Sequence, residues 1–158
     1  MNNFHLPSLD CMCAGFRRSA RALTQLYEGS LRPLGLRASQ FTILQVLARA
    51  GEVSQGQLGE ILAMDSTTLT RTLKIMLRQG WVAERRGEDR RERRFRLSKS
   101  GELLLRNATP EWEKVQARLR RRLGAQTWET LARWTDQVTS IALNDSPTAS
   151  NQSKRDRR

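Results

Sequence analysis

The residues best suited to recognition chemistry lie between Ser54 and Arg96. From Asp65 to Gly80, the apolar residues Leu69, Leu73, Met76 and Leu77 recur at i, i+4, i+7 and i+8, the spacing of one buried helical stripe. The same periodicity sends Ser66, Thr67, Thr68, Thr70, Arg71, Lys74 and Arg78 to or near the outer side. Short hydroxyl groups and cations are the set that reads base edges in the major groove, and helices inserted there make base contacts from their first turns. Ser66, Thr67, Thr68 and Arg71 are therefore candidates for bases. Lys74 and Arg78, with Ser54 and Gln55 at the start of the preceding helix, are candidates for phosphates.

A solvated helix face has much the same composition, and it is the arginine-rich segment beyond Gly80 that favours recognition. Between Glu84 and Arg96 stand seven arginines, at 85, 86, 90, 91, 93, 94 and 96, against four acids, at 84, 88, 89 and 92. Like charges so close on a short ribbon repel, which makes a purely solvated role awkward. Arg90, Arg91 and Arg93, near the tip, are candidates for the narrow minor groove, where the potential rewards arginine.

The elements that must position these residues emerge from periodicity and punctuation. Phe16, Ala20, Leu23 and Tyr27 mark a first helix from Asp10 to about Gly29. After Pro33 and Gly35, a second runs from Ser39 to Ala50, with Phe41, Leu44, Leu47 and Ala48 inward. Glu52-Val53 allows only a very short strand, because Ser54 with Gln57 three residues on reads as a capping box. The short helix this box opens has Leu58, Ile61 and Leu62 as its buried face. Ala63-Met64 is the turn, Asp65 the N-cap of the polar-faced helix, and Gly80 its end. Trp81–Arg85 and Arg93–Ser98 have strand composition around Gly87–Asp89, which predicts a hairpin. Ser98 then caps a helix from Lys99 to about Leu123, with a kink or break expected near Arg106–Thr109 because Pro110 removes a donor, at about 3 kcal/mol. A last helix, Gln126–Leu143, carries Trp128, Leu131, Trp134, Val138 and Ile141. The fold class expected is mainly α: a winged helix-turn-helix over 35–98, flanked by helical segments at 1–34 and 99–143. The remainder, 144–158, reads as a disordered basic tail.

Composition narrows the partners. Lys plus Arg is 28 against 16 for Asp plus Glu, a formal net charge of +12, so the surface attracts polyanions. No apolar run approaches the roughly 20 residues of a spanning helix, and the first residues lack a secretory layout, so a cytoplasmic protein without a membrane partner is expected. Cys11 and Cys13, the only cysteines, are poorly spaced for an intrachain disulfide. With His5 the only histidine, a closed four-ligand metal site is not expected, nor is a cofactor. No nucleophile–base pair or glycine-rich phosphate loop is present, which argues against an enzyme.

From about Leu6 to Ile141 the chain resembles the MarR family of bacterial transcriptional regulators, dimeric winged helix-turn-helix proteins. The resemblance is densest in Gly35-Leu-Arg-Ala-Ser-Gln-Phe41, in Asp65-Ser-Thr-Thr-Leu-Thr-Arg71 through Gly80-Trp81, and in Asp89-x-Arg91 followed by Leu97-Ser98-x-x-Gly101. It implies that Asp89 holds Arg91 by a salt bridge while Arg91 enters the minor groove. It also implies that the first and last two helices interlock two subunits on a pseudo-palindromic operator, whose half-sites would lie roughly 34 Å apart. Trp112, Trp128 and Trp134 agree, as more apolar surface than the ends of a small monomer leave uncovered; filling an intrachain core is the alternative. Arg37 departs from the Ser or Thr that usually caps the second helix.

Two inputs are open. The first is a small aromatic or carboxylate-bearing effector between the dimer helices and the DNA-binding lobe, with Arg17, Arg18 and Arg21 pairing the carboxylate and Trp112 stacking on a ring. The second comes from similarity to the organic-hydroperoxide sensors of the family, which places Cys13 at the position of their reactive thiol and Tyr27 at that of a tyrosine partner. Arg17, one turn from Cys13, would favour the reactive thiolate. The expected function is thus a sequence-specific DNA-binding regulator, a repressor released by ligand or by oxidation, with a non-specific architectural DNA binder as the rival.

Overall fold

The computed structural model describes residues 10–89 and 92–145. Six helices and three short strands run in the order α1 (Met12–Leu31), a 3-10 turn (Arg32–Leu34), α2 (Ala38–Ala50), β1 (Val53–Ser54), α3 (Gln55–Leu62), α4 (Ser66–Arg78), β2 (Val82–Arg86), β3 (Arg93–Leu97), α5 (Lys99–Leu123) and α6 (Ala125–Asn144). The strands form one antiparallel sheet in the order β1-β3-β2. Its register sets Val53 opposite Phe95 and Glu84 opposite Phe95.

Most boundaries are set by side chains that satisfy helix ends. The Ser54 hydroxyl accepts from the Gln57 N–H at 3.2 Å while Gln57 Oε1 accepts from the Ser54 N–H at 3.0 Å, so the predicted capping box is complete. Asp65 caps α4 by accepting from the Thr68 N–H at 2.8 Å, and Ser98 caps α5 by accepting from the Gly101 N–H at 3.1 Å. At the far end of α4, Gly80 adopts φ 71° while Trp81 donates back to the Met76 carbonyl and Gly80 to that of Leu77. That pair of bonds is a Schellman stop. Arg37 stands at the N-cap of α2 without a side-chain cap. The buried Gln40 supplies the compensating half, accepting from the Arg37 N–H at 2.9 Å.

The core joins Leu31 and Leu36 to Phe41, Ile43, Leu44 and Leu47 of α2, Leu58 of α3, Leu69, Leu73 and Met76 of α4, Val82, Phe95 and Ala108. Two residues expected inward are not: Ala48 is exposed, and Ile61 is 56% exposed. Ile43, outside the predicted stripe, is fully buried instead, because α2 is packed by α1, α3, α5 and β3 and so has more than one buried face. The expected break in α5 does not occur. The helix continues through Pro110, where Ala108 and Val115 are buried and Trp112 packs on the core, so tertiary packing offsets the lost donor. At the start of α5, Gly101 lies against the backbone carbonyl of Trp81, so close that any Cβ there would collide with it. The glycine of the Leu97-Ser98-x-x-Gly101 pattern is thus a packing requirement.

Candidate nucleic-acid interface and effector cleft

The caps and core leave one polar face of α4 outward. Ser66, Thr67, Thr70, Arg71 and Lys74 border a single shallow concavity of about 360 Å³. Arg78, also exposed, lies beyond it at the last turn of α4. The structure gives Thr68 and Ser54 different work from that expected. Thr68 donates both its backbone N–H and its hydroxyl to Asp65, which holds that carboxyl below its usual range. Ser54 is 7% exposed, and its hydroxyl accepts the Gln57 N–H of the capping box.

The hairpin differs most from a ribbon of solvated charge. Its register sets Arg85 directly opposite Arg94, a like-charge pair that repels on its own. Glu52, in the segment before β1, bridges the two: it takes Arg85 at 2.6 Å and 2.5 Å through Nε and Nη2, and Arg94 Nε at 2.9 Å. Glu92 adds a second contact to Arg94 at 3.2 Å. The hydrogen bonds from Arg85 and Arg94 hold the Glu52 carboxyl below the ordinary range, and Glu52 in turn raises both guanidinium groups. Arg93 does not sit at the tip. It lies in β3, with Nε and Nη2 on both oxygens of Glu84 at 2.5 Å and 2.9 Å, Nη1 on Gln55 Oε1 at 3.3 Å, and its guanidinium 5.3 Å from the centre of the Phe95 ring. Gln55 continues to α4, donating to the Thr70 hydroxyl at 2.7 Å. Neither Glu52 nor the Gln55 bridge is foreseen from the sequence. Their only signal there is an acid and an amide flanking a two-residue strand that has to pair with an arginine-rich one. Arg90, Arg91 and the Asp89–Arg91 bridge implied by resemblance involve positions outside the described residues.

A second candidate site lies between α1, α2 and α5. Leu23, Tyr27, Phe41 and Trp112, with Gln45 and Gln116 at polar positions, line a cleft of about 440 Å³. Phe41 and Trp112 rings lie 5.9 Å apart, and burial pushes the Tyr27 hydroxyl pKa up. Trp112 lines this cleft, but Arg17, Arg18 and Arg21 are not among the residues that do. Arg18 and Arg21 project from other faces of α1 than the stripe of Ala20, Thr24 and Tyr27 that lines the cleft, and Arg17 stands one turn before Ala20. Cys13 and Tyr27 also fail to meet within one chain. Both are on α1, separated by 14 residues, or roughly 21 Å of helical rise. Cys11 and Cys13 are exposed thiols. Among the described residues no cluster suited to a metal ion occurs, and no helix is long and apolar enough to cross a membrane.

Comparison with known proteins fits this geometry. A family profile described as MarR family matches residues 34–92, the span from the end of the 3-10 turn through β2 to the residue before β3. The Organic hydroperoxide resistance transcriptional regulator of Bacillus subtilis (strain 168) is 32% identical over 101 residues, covering 63% of this chain and 69% of that protein. The chain belongs to the MarR family. Another relative, the Uncharacterized HTH-type transcriptional regulator YwoH of the same organism, is 36% identical over 85 residues, 54% of this chain; the match spans 62% of YwoH, a little under two thirds. In structure, the M. tuberculosis transcriptional regulator MosR, solved in complex with DNA, superposes with a TM-score of 0.77 at 34% identity, covering 84% of this chain and 96% of that one. The winged helix-turn-helix architecture expected from the sequence is therefore that of a MarR-family transcriptional regulator.

Proposed function

We propose that the protein is a homodimeric, sequence-specific regulator that binds double-stranded DNA through α4 and the β2–β3 wing, and acts as a repressor released by a small aromatic ligand. The observation that carries the reading is the outer face of α4: hydroxyls and cations gathered over one concavity, on a helix whose other side is locked into the core. That MosR was solved in complex with DNA supports DNA as the partner. Dimerisation is supported by α6, which has no buried residue and carries Leu131, Trp134 and Ile141 at 47%, 61% and 53% exposure on one stripe. Phe16 and Leu23 of α1 are similarly uncovered. Such a stripe is what a second copy buries in a two-fold assembly.

For the input, the Tyr27–Phe41–Trp112 cleft favours a flat aromatic effector, whose carboxylate or hydroxyl would find Gln45, Gln116, Thr24 and Thr42 in place of the arginines. The thiol reading is favoured by the exposure of Cys13 and by the hydroperoxide-resistance relative; it requires that the partners of the thiol come from the second subunit. A footprint on the DNA flanking the protein's own gene tests these together. Two protected half-sites roughly 34 Å apart are expected. Release by a benzoate-class acid supports the cleft, and release by organic peroxide that disappears in Cys13→Ser supports the thiol. Protection without sequence preference leaves only an architectural DNA binder. Arg71→Ala is expected to cost about 1–3 kcal/mol on the protected site and much less on random duplex.

A further inference from the structure

The bonds around Gln55 restrict one another's direction. Arg93 has only donors, so the Gln55 atom facing its Nη1 must be the carbonyl oxygen Oε1. Arg93 cannot swing away freely, because Glu84 holds it with both carboxylate oxygens and its guanidinium lies over Phe95. With Oε1 committed, the amide nitrogen of Gln55 is what reaches Thr70, and it donates to Oγ1 at 2.7 Å. The Thr70 hydroxyl thereby has a lone pair occupied from behind, and its single proton is directed away from Gln55. That hydroxyl belongs to a residue bordering the outward concavity of α4 beside Ser66, Thr67, Arg71 and Lys74.

We infer that Thr70 is a specificity-determining residue of the duplex interface, and that the relay Glu84–Arg93–Gln55 fixes its hydroxyl as a hydrogen-bond donor toward the groove. The inference rests on the proposed reading of sequence-specific duplex binding. A donor there matches the acceptors of the major groove, purine N7, guanine O6 or thymine O4, and is favoured over acceptance from the amino groups of adenine and cytosine, for which one of the two lone pairs is already taken. Gln55 and Arg93 act through Thr70. They are positioning residues whose side chains are occupied within the lobe, not on phosphate.

The test is iterative selection from a random duplex pool with the wild-type protein and its variants, then titration of the selected duplex and each single-base-pair change. Thr70→Val keeps the shape and removes the hydroxyl. It is expected to lose preference at one base pair per half-site and to bind the selected duplex about three- to tenfold more weakly, whereas Thr70→Ser keeps the preference. In Gln55→Glu the carboxylate, still held by Arg93, accepts the Thr70 proton and leaves only lone pairs toward the groove. The base selected at that same position then changes to one presenting an amino donor, with the other positions unchanged. Should Gln55→Glu fail to fold, Gln55→Met removes both bonds at similar volume and is expected to relax that position alone. Equal weakening of Thr70→Val on every sequence, or an unchanged base choice in a folded Gln55 variant, overturns the inference. A wild-type protein that enriches no sequence overturns the regulator reading instead, a separately recognisable result.

Discussion

The lobe from α2 to β3 and the outer helices α1 and α6 differ in how they satisfy their surfaces. In the lobe, apolar side chains from every element close one core, and the polar groups at its rim are bonded to each other: Ser54 with Gln57, Asp65 with Thr68, Glu52 with Arg85 and Arg94, Glu84 with Arg93. The outer helices do the reverse. They have helical propensity and an apolar stripe, but within one chain Trp134, Ile141 and Leu23 face outward. The lobe's core is closed within one chain, with Leu31 of α1 and Ala108 of α5 completing it, while the apolar stripe of α6 is left uncovered there. A reading head built on the first kind of surface can be steered by rearranging the second, since a two-fold contact sets the spacing of two recognition helices.

The sharpest way to break that contrast is Trp134→Glu. On a monomer surface, 61% exposed, the change would be nearly neutral. At the centre of a dimer stripe it is expected to cost about 2–4 kcal/mol of association, so that sedimentation shows monomers at concentrations where the wild type is dimeric, with the lobe still folded. Gly101→Ala attacks the lobe instead. The new methyl meets the Trp81 carbonyl, and backbone cannot yield as a flexible side chain can. A loss of about 1–3 kcal/mol in urea or thermal unfolding is expected, independent of protein concentration once dimerisation is accounted for.

Much of this division is legible in the sequence for a physical reason: caps and stripes are local. Asp65, Ser98, Gly80 and the Ser54–Gln57 box act within three or four residues of where they stand, so type and spacing suffice to place them. The site is legible only in part, because its polar residues choose partners across the fold. Ser54 and Thr68 have the chemistry of a DNA contact, yet their nearest unsatisfied groups belong to helix N-termini, the N–H donors and the carboxylate that caps them. Arg93 has the chemistry of a groove probe, yet the strand register brings it to Glu84 and Gln55, the latter 38 positions away. Glu52, 33 positions from Arg85, cannot be paired before that register is known. Nor can the three arginines of α1 be separated from the effector cleft until packing shows that the face carrying Ala20, Thr24 and Tyr27 is the one turned to Trp112.

A smaller effect is expected at Glu52, where the sign comes from its lowered pKa. Its carboxyl is held below the ordinary value of 4.5 by Arg85 and Arg94. The folded state therefore keeps it charged more readily than the unfolded chain, and its contribution is present above pH 4.5 and lost as pH falls below that value through the lowered folded pKa. Glu52→Gln should flatten this acid limb of a stability–pH curve and leave Arg85 facing Arg94 without a bridge, which shows as a looser hairpin in amide exchange. An unchanged acid limb and unchanged exchange would mean that the bridge contributes nothing to holding the wing.

The central claim is that two such lobes, set by the outer helices, read sequence. Its most direct measurement is the affinity of the full chain for the duplex it selects, against a scrambled duplex of the same length and composition, at one fixed salt concentration near physiological. A sequence reader of this kind is expected to show a ratio on the order of 10³ or more, with two protein chains per selected duplex. A ratio near one, with both affinities falling equally as salt rises, would contradict it.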